Sequence, residues 1–522
     1  LEKENKQLKG ILPKNYARPE LDKRRLGNVI DIFENNLHFT GSEARDVLGR
    51  VYEYFLGEFA REEGKKGGEF YTPSCVVRTI VEVIQPYKGK IFDPACGSGG
   101  MFVQTGDFVN AAGMNANTQM TFYGQEKVEY NAQLCLMNMA VHGLNGRIVS
   151  GDEANSFYHD AFNLAGKCDY VIANPPFNVD KVKAESASSA GRLPFGLPGV
   201  NTKSKEVGNA NYLWINYFYA YLNDHGRAGF VMASSATDSS NKDRDIREKL
   251  VKTGHVDVMV SVGNNFFYTL SLPCSLWFFD KAKREENQDK VLFIDARKYY
   301  TVVDRTLNEW TEWQLCNLQA IVHLYRGETE KYQVLIEKYN SAIQEAVSEM
   351  MEQAKPFAEL LDAETETQFK RSLTWLGGSW ENYDALSKKL NEQIEQTKAC
   401  VKSAEEKLKK REVKPMRLAG DEFCKVLESI LIAIGEYNWL TEKFGKGEYH
   451  DIAGLCKIAT LDEIAEKNYS LTPGAYVGVA EVEDDGVDFH ERMNEIHAEL
   501  AKLNKEANAL MDVILKDWET LK

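Results

Sequence analysis

From Lys90 to Gly100 the chain reads Lys-Ile-Phe-Asp-Pro-Ala-Cys-Gly-Ser-Gly-Gly, an apolar strand that passes into a loop of small residues before a helix begins at Met101. Such a loop forms a cradle, because its glycines let backbone amides approach a ligand and the following helix N-terminus favours an anion. The loop lacks the Gly-Lys-Ser/Thr ending that holds a triphosphate and magnesium in a P-loop. The stretch therefore predicts an α/β sheet with a nucleotide-like ligand that is not a triphosphate.

Acidic residues stand at the ends of the next two predicted strands. The strand at 121–125 ends in Glu126, and the strand at 147–151 is followed by Asp152. In an open parallel sheet, Glu126 is placed to accept both ribose hydroxyls of a ligand over the first loop, and Asp152 to accept its adenine amino group. Taken alone, Glu126 is equally well explained as a helix cap and Asp152 as a turn residue.

A fourth strand, ending at 171–173, runs into Asn174-Pro175-Pro176-Phe177. The prolines hold an extended turn, so the Asn174 side-chain oxygen and the Pro175 carbonyl converge as two acceptors beside the ring of Phe177. This arrangement fits an exocyclic amine on a flat heterocycle that stacks on the ring. An Asn-Pro-Pro turn by itself is more often only a turn, but the agreement of four successive strand ends favours a site.

With these residues in place, the chain resembles the modification subunits of type I restriction-modification systems, which are adenine-N6 DNA methyltransferases that use S-adenosylmethionine. The resemblance covers residues 43–280, and it implies a Rossmann-like methyltransferase domain with a mostly parallel sheet. The segment at 67–74 separates this family from other Asn-Pro-Pro methyltransferases. The matching stretches are 67–74, 93–100, Glu126, Asp152, 174–177, 208–214 and 226–231.

The resemblance also implies a role for each matching residue. It assigns the target base to Asn174, Pro175, Pro176 and Phe177. It assigns the cofactor to Glu69, Phe70, Tyr71, Thr72, Pro73, Ser74, Asp93, Gly97, Ser98, Gly99, Gly100, Glu126 and Asp152, with loop amides supplied by Ser98, Gly99 and Gly100. No metal is expected, because a sulfonium methyl group is already activated and needs only in-line placement and charge stabilisation. A cytosine-C5 enzyme would need a cysteine nucleophile, but Cys274 lies in an apolar strand and is expected to pack in the core.

Composition limits how the reaction is arranged. At 522 residues with 43% hydrophobic content, two to four domains are expected. The net charge of −15 argues against a free-standing DNA-binding protein, because DNA is repelled unless basic residues are local or a partner carries the contacts. Nine scattered cysteines indicate neither zinc nor disulfides, which favours a reduced, cytoplasmic setting. No apolar run approaches a membrane span, and no signal peptide is visible.

The chain divides into four expected regions. These are an N-terminal helical segment at 1–60, a methyltransferase domain at 61–300, a helical C-terminal region at 301–485 and a heptad helix at 486–522. The family usually has a larger N-terminal domain, so part of it is expected to be absent. An apolar helical stripe comprises Val47, Leu48, Val51, Tyr52, Phe55, Leu56 and Phe59.

One segment inside the methyltransferase domain, 178–210, lacks a clear hydrophobic period. It is either a solvated, mobile surface loop or a flap that orders on DNA beside the flipped base, and its position directly after the catalytic turn favours the flap.

Helical patterns dominate after residue 281. One covers 327–354, and a second has Leu386, Leu390, Ile394, Thr397, Val401, Ala404 and Leu408 at spacings of three and four. The positions Phe489, Met493, Ile496, Leu500, Leu503, Ala507, Leu510 and Ile514 form an unbroken heptad seam. The seam closes either on the helix at 386–408 or on a partner helix, and both alternatives stay open. Between the helices, 468–478 resembles a short motif found late in these modification subunits.

No target-recognition domain, helicase or endonuclease pattern is visible in the sequence. DNA sequence choice is therefore expected to come from a separate specificity subunit, and the resemblance implies a restriction subunit and two copies of this chain per specificity subunit. Two alternative functions remain. The first is methylation of RNA or of a protein glutamine, which the 67–74 segment and the helical C-terminus disfavour. The second is a cofactor-binding but catalytically silent assembly scaffold, which the intact motifs disfavour.

Overall fold

The computed structural model describes residues 72–267, 273–374, 382–407 and 410–479, with parts of 2–36, 49–58 and 493–511. The predicted cofactor residues Glu69, Phe70 and Tyr71 lie outside the described residues. The chain forms two compact units, Leu1–Gly478 and Val479–Lys522.

The strands of the first unit alternate with helices over most of the first 300 residues. The described strands are β1 (Gly89–Asp93), β2 (Met120–Glu126), β3 (Gly146–Ser150), β4 (Cys168–Ala173), β5 (Val182–Lys183), β6 (Glu206–Val207), β7 (Leu222–Ala233), β8 (Val256–Val262), β9 (Cys274–Asp280), β10 (Lys290–Asp295), β11 (Thr301–Asp304), β12 (Leu307–Glu309) and β13 (Cys456–Thr460).

The helices of the first unit include α1 (Lys23–Asn36), α2 (Ser74–Ile84), α3 (Gly100–Ala111), α4 (Ala116–Gln119), α5 (Glu129–Val141), α6 (Ala184–Ser189), α7 (Asn211–Tyr221), α8 (Asn241–Val251), α9 (Glu312–Tyr325), α10 (Thr329–Ala358), α11 (Ala363–Ser372), α12 (Tyr383–Lys407), α13 (Lys410–Phe444) and α14 (Leu461–Glu466).

Nine of the described strands form one sheet in the order β13-β10-β8-β9-β7-β4-β1-β2-β3. The pairs are parallel except that β9 runs antiparallel to β7 and β8, and β13 antiparallel to β10. The strand order reverses beside β1, which pairs with β2 on one side and β4 on the other. Ligands of open α/β sheets bind at such a switch point, outside the carboxyl ends of the strands. The predicted Rossmann-like fold is confirmed, and it brings the ends of β1 and β4 together.

The sheet is covered on both faces, as alternation along its strands requires. Ile91 and Ile172 belong to one buried cluster, which also contains residues of α2, α3, α5 and α9. Phe92 and Val171, their neighbours in sequence, belong to a second cluster with residues of α7 and α8. The strands of the site are therefore anchored from two sides.

The segment at 178–210 is folded and partly buried, which contradicts a solvated loop without structure, whereas its role as a flap beside the flipped base stays a prediction. Its ends pair as β5 and β6, and α6 follows β5 directly. Val182, Phe195 and Val207 are buried in the second cluster. Arg192, which is 6% exposed, donates from Nη1 to the carbonyl of Ser156 and to the hydroxyl of Tyr221. The hydrophobic residues of the segment at 178–210 are too irregularly spaced to give a periodic sequence signal.

The two helical patterns after residue 281 are confirmed as α10 and α12. Leu386, Leu390 and Ile394 are buried in a third cluster formed by α10 to α13, while Leu408 lies outside the described residues. The chain then returns to the sheet as β13, which the sequence analysis did not predict.

The remaining helical stripes are only partly described. In the stripe near the N-terminus, Leu56 is buried and Phe55 is exposed, whereas Val47, Leu48 and Phe59 lie outside the described residues. In the second unit the described positions from 493 to 511 are helical, and the two ends of the predicted seam, Phe489 and Ile514, are not described. Among the described residues, no helix has both the length and the apolar character of a membrane span.

Candidate active site

The loop after β1 begins with a buried carboxyl group. Asp93 is 1% exposed, and its Oδ1 accepts a hydrogen bond from the N–H group of Ala95 at 2.9 Å. Burial raises the pKa of the Asp93 carboxyl well above its ordinary value, and the nearby charge of Glu126 raises it further, against the opposing effect of the Ala95 hydrogen bond. Asp93 therefore shapes the turn from within, and its assignment to the cofactor stays a prediction.

Glycine is required where the loop enters α3. Gly99 is the N-cap residue of α3, with φ at 79°, and a Cβ atom there would lie 2.7 Å from Sγ of Cys135. Its N–H group donates to the carbonyl of Cys96 at 2.8 Å. Of the three loop amides expected to meet a ligand, the one of Gly99 is thus already engaged within the turn, while the ligand contacts of the Ser98 and Gly100 amides stay a prediction.

Glu126 ends β2 beside this loop. Its Oε2 accepts the N–H group of Gly97 at 3.0 Å, and its Oε1 accepts the N–H group of Val128 at 2.9 Å. These bonds hold the half-buried carboxylate at the cradle, which is where the sequence placed a ribose-binding residue.

A cavity of about 320 Å³ opens between the ends of β1, β2, β3 and β4. That volume is within the range of small-molecule sites, roughly 300–1,000 Å³. Residues from all four strand ends and from α7 line it, among them Ala95, Glu126, Phe157, Pro176 and Trp214.

The segment after β3 reaches this cavity with residues that the sequence analysis missed. Asp152 starts a short 3₁₀ helix and is exposed, whereas Asn155, Ser156 and Phe157 line the cavity. The rings of Phe157 and Trp214 lie 4.5 Å apart between centroids. Aromatic residues shortly after a strand end were the available signal, although their spacing from Asp152 could not show which of them turns inward.

Asn174 has two polar atoms in opposite situations. Its Nδ2 donates to Oγ1 of Thr72 at 2.8 Å, whereas its Oδ1 is buried and has no hydrogen-bond partner among the described residues. A buried acceptor without a partner costs about 1–3 kcal/mol, and a contact with a ligand is one of the explanations for such an atom in a folded protein. Pro175 is buried, Pro176 lines the cavity, and Phe177 packs partly against both clusters of the sheet.

The described end of the 67–74 segment lies against this turn. Thr72 is half-buried and holds Asn174, Pro73 is the buried N-cap residue of α2, and Ser74 is exposed at the first position of that helix. The segment predicted to close over the cofactor thus meets the segment predicted to bind the target base.

Cys274 is confirmed as a core residue. It lies in β9 and is 2% exposed, and burial raises the pKa of its thiol far above the ordinary value. A nucleophilic thiolate is disfavoured at such a position. Within the described residues, no group of His, Cys, Asp and Glu side chains has the arrangement of a metal site.

Comparison with known proteins agrees with this geometry. The family model described as N-6 DNA Methylase matches residues 43–352 and 386–485. The chain belongs to this family. It is a DNA methyltransferase, and it matches the methylase subunits of type I restriction enzymes along almost its whole length.

Two curated relatives and one solved structure illustrate the similarity. The MjaIX methylase subunit of Methanocaldococcus jannaschii is 31% identical over 100% of this chain and 71% of its own. The HindI methylase subunit of Haemophilus influenzae is 28% identical over 95% of this chain and 85% of its own. The methyltransferase subunit of a type I system from Streptococcus thermophilus, at 18% identity, shares the fold with a TM-score of 0.56, covering 92% of this chain and 75% of that one.

Proposed function

We propose that the chain methylates the exocyclic N6 of a DNA adenine that has been flipped out of the duplex, and that it acts as the modification subunit of a type I restriction-modification complex. The observation that carries this proposal is the buried Oδ1 of Asn174, an acceptor without a partner among the described residues at the end of a central strand. An adenine amine offers two hydrogens and a flat ring, and the turn offers two acceptors and Phe177.

S-adenosylmethionine fits the neighbouring cavity. Glu126 is held by two backbone N–H groups and faces the cavity that it lines, which suits ribose hydroxyls. Pro176 and Trp214 offer apolar walls for an adenine ring, and the N-terminus of α3 favours a carboxylate. When bound, S-adenosylmethionine supplies an electrophilic methyl group.

The chain's own residues orient the amine. Hydrogen bonds accepted by Oδ1 of Asn174 and the carbonyl of Pro175 turn the nitrogen lone pair towards the methyl donor, and they stabilise the positive charge that develops on nitrogen. Thr72 fixes the amide of Asn174 by accepting from Nδ2, so that Oδ1 is the atom left for the amine. The turn thus provides both orientation and electrostatic stabilisation, with the base held in line for transfer.

The partners follow from charge and from the relatives. With a net charge of −15, the chain needs a partner to hold DNA firmly. Its relatives are methylase subunits of type I restriction enzymes, which supports a complex with a specificity subunit, a restriction subunit and DNA. We place two copies of this chain on each specificity subunit, in the cytoplasm.

The test is methyl transfer by the chain co-expressed with its specificity subunit. Purified complex and labelled S-adenosylmethionine are incubated with DNA, RNA and protein, and the product is identified by mass spectrometry as N6-methyladenine or otherwise. We expect label in DNA adenine alone, and at least about a hundredfold less of it per unit time with Asn174→Ala. Label in RNA or in a protein glutamine would refute the DNA substrate, and cofactor binding without any transfer would indicate a silent scaffold.

A further inference from the structure

Three asparagines hold the chain directly after the catalytic turn. Asn178 follows Phe177, and its N–H group donates to Oδ1 of Asn211 at 2.8 Å. In return, Nδ2 of Asn211 and Nδ2 of Asn209 each donate to Oδ1 of Asn178 at 2.9 Å. The three side chains therefore form a closed set of hydrogen bonds, called here the asparagine clamp, between the turn and the start of α7.

The backbone reinforces the asparagine clamp. The N–H group of Ala210 donates to the carbonyl of Val179, and that of Asn211 to Oδ1 of Asn209, both at 2.9 Å. Asn178 has φ at 55°, in the left-handed region that asparagine adopts more readily than most residues. Nine of the eleven residues of α7 are buried, Asn211 among them at 4% exposure. The turn is thus tied to an element that cannot easily move.

The other end of the turn is fixed by the sheet. Ala173, the residue before Asn174, pairs with Phe230 of β7, and the two prolines that follow have restricted φ. A four-residue turn that is held by a strand at one end and by the asparagine clamp at the other has little freedom. The clamp therefore determines where Oδ1 of Asn174 and the carbonyl of Pro175 lie.

We propose that Asn178, Asn209 and Asn211 are positioning residues for methyl transfer, which act through the catalytic turn without touching the base. This inference rests on the proposed function. Because a displacement of about 1 Å in a reacting group can cost on the order of a hundredfold in rate, loosening the clamp lowers turnover. None of the three asparagines lines the cofactor cavity, although the neighbouring Val179 does, so cofactor affinity should change less than turnover.

The experiment uses the full chain in complex with its specificity subunit. Asn178→Gly keeps the left-handed backbone and removes the acceptor that Asn209 and Asn211 share, whereas Asn178→Asp keeps an acceptor there. The matched control is Asn163→Gly, which makes the same change at a left-handed asparagine before the start of β4, at the opposite end of that strand from the turn. For each variant we measure kcat, KM for DNA, the Kd for S-adenosylmethionine and the melting temperature.

We expect Asn178→Gly to lower kcat at least about tenfold with a much smaller change in the Kd for S-adenosylmethionine. Asn178→Asp should restore most of the rate, and Asn163→Gly should match wild type. Asn211→Asp should also lower kcat. The double variant Asn178→Gly/Asn211→Asp should be no slower than the slower of the two single variants, because both substitutions remove the hydrogen bond from Nδ2 of Asn211 to Oδ1 of Asn178.

Full activity of Asn178→Gly, or equal losses of kcat in Asn178→Gly and Asn178→Asp, would overturn the positioning role of the asparagine clamp. DNA methylation by the wild-type complex would still support the proposed function in that case. A wild-type complex that leaves DNA unmethylated would overturn the proposed function itself and the clamp with it.

Discussion

At the scale of single residues, Asn174 combines one satisfied and one unsatisfied polar atom. We expect Asn174→Ala to lower turnover at least about a hundredfold and to leave the affinity for S-adenosylmethionine nearly unchanged, because the lost acceptor acts mainly in the transition state. Single-turnover methylation and calorimetry measure the two quantities.

Thr72→Val is the matched variant for this prediction. It removes the hydroxyl that accepts from Nδ2 but leaves Oδ1 of Asn174 in place, so its loss of turnover should be smaller. A loss of cofactor binding as large as the loss of turnover in Asn174→Ala would show that the turn belongs to the cofactor pocket.

Glu126 gives the opposite expectation. Glu126→Ala should weaken S-adenosylmethionine binding by about ten- to a hundredfold, since hydrogen bonds to a charged group contribute about 1.5–3 kcal/mol. Isothermal calorimetry measures the change. The exposed Glu129, three residues further on, provides the control Glu129→Ala, which should bind as wild type does. Unchanged affinity in Glu126→Ala would mean that the ribose lies elsewhere.

Asp243 predicts a pH dependence of stability. Burial raises the pKa of its carboxyl from 3.8 to about 6, against the lowering effects of a backbone hydrogen bond from Gly199 and of the charge of Arg247. Because the folded-state pKa lies above the unfolded one, the folded protein binds the proton more tightly. The stability that proton binding by Asp243 contributes is therefore fully present below about pH 4 and is lost as the pH rises through 6.

Asp243→Asn removes this titration. We expect the variant to be more stable than wild type by about 2 kcal/mol at pH 8 and to differ little from it at pH 4. Urea unfolding at the two pH values measures this difference, with Asp245→Asn as the control on the same helix. A gain of equal size at both pH values would exclude titration of Asp243 as its cause.

At the scale of elements, the sequence predicted what is encoded locally. The loop after β1, the acidic ends of β2 and β3 and the turn after β4 each carry their signal within a few residues, and their meeting at one edge follows from the parallel sheet. Phe157 and Trp214 could not be found in this way, because two segments that are distant in sequence bring them to the same cavity.

Two elements escaped the sequence analysis because their stabilising contacts are distant or aperiodic. β13 exists through antiparallel pairing of Cys456–Thr460 with β10, more than 160 residues earlier, and strand propensity alone cannot identify such a partner. The folded segment at 178–210 depends on isolated contacts, such as those of Arg192 with Ser156 and Tyr221. Neither feature produces a period that a sequence pattern reveals.

At the scale of the whole molecule, the long helices are fastened to the catalytic sheet by a polar network. Glu436 of α13 accepts hydrogen bonds from the hydroxyl of Tyr299 and from Nδ2 of Asn317, and the ring of Tyr299 stacks on Trp439 at 4.4 Å between centroids. Tyr339 of α10 donates to Oδ1 of Asn317. Catalytic and helical parts of the first unit thus share one continuous structure, although their expected boundary near residue 300 stays a prediction.

The second unit carries the last prediction. Removing residues 486–522 should abolish or strongly weaken assembly with a specificity subunit, while S-adenosylmethionine binding remains measurable. The heptad seam between Phe489 and Ile514 needs a covering helix, and apolar stripes of that size mark interaction surfaces. Every site residue lies before residue 281, within a unit that has buried clusters of its own.

The alternative is that the seam closes on α12 of the same chain, and it predicts a different outcome. The truncated protein would then melt at a lower temperature or aggregate, without a defect specific to the partner. Size-exclusion chromatography and thermal melts of chain 1–485, alone and with the specificity subunit, distinguish the two. A truncated chain that melts as wild type does and still assembles would exclude both packing of the seam on a partner and packing on α12. Either kind of packing would be lost with residues 486–522, and its loss would lower assembly or stability.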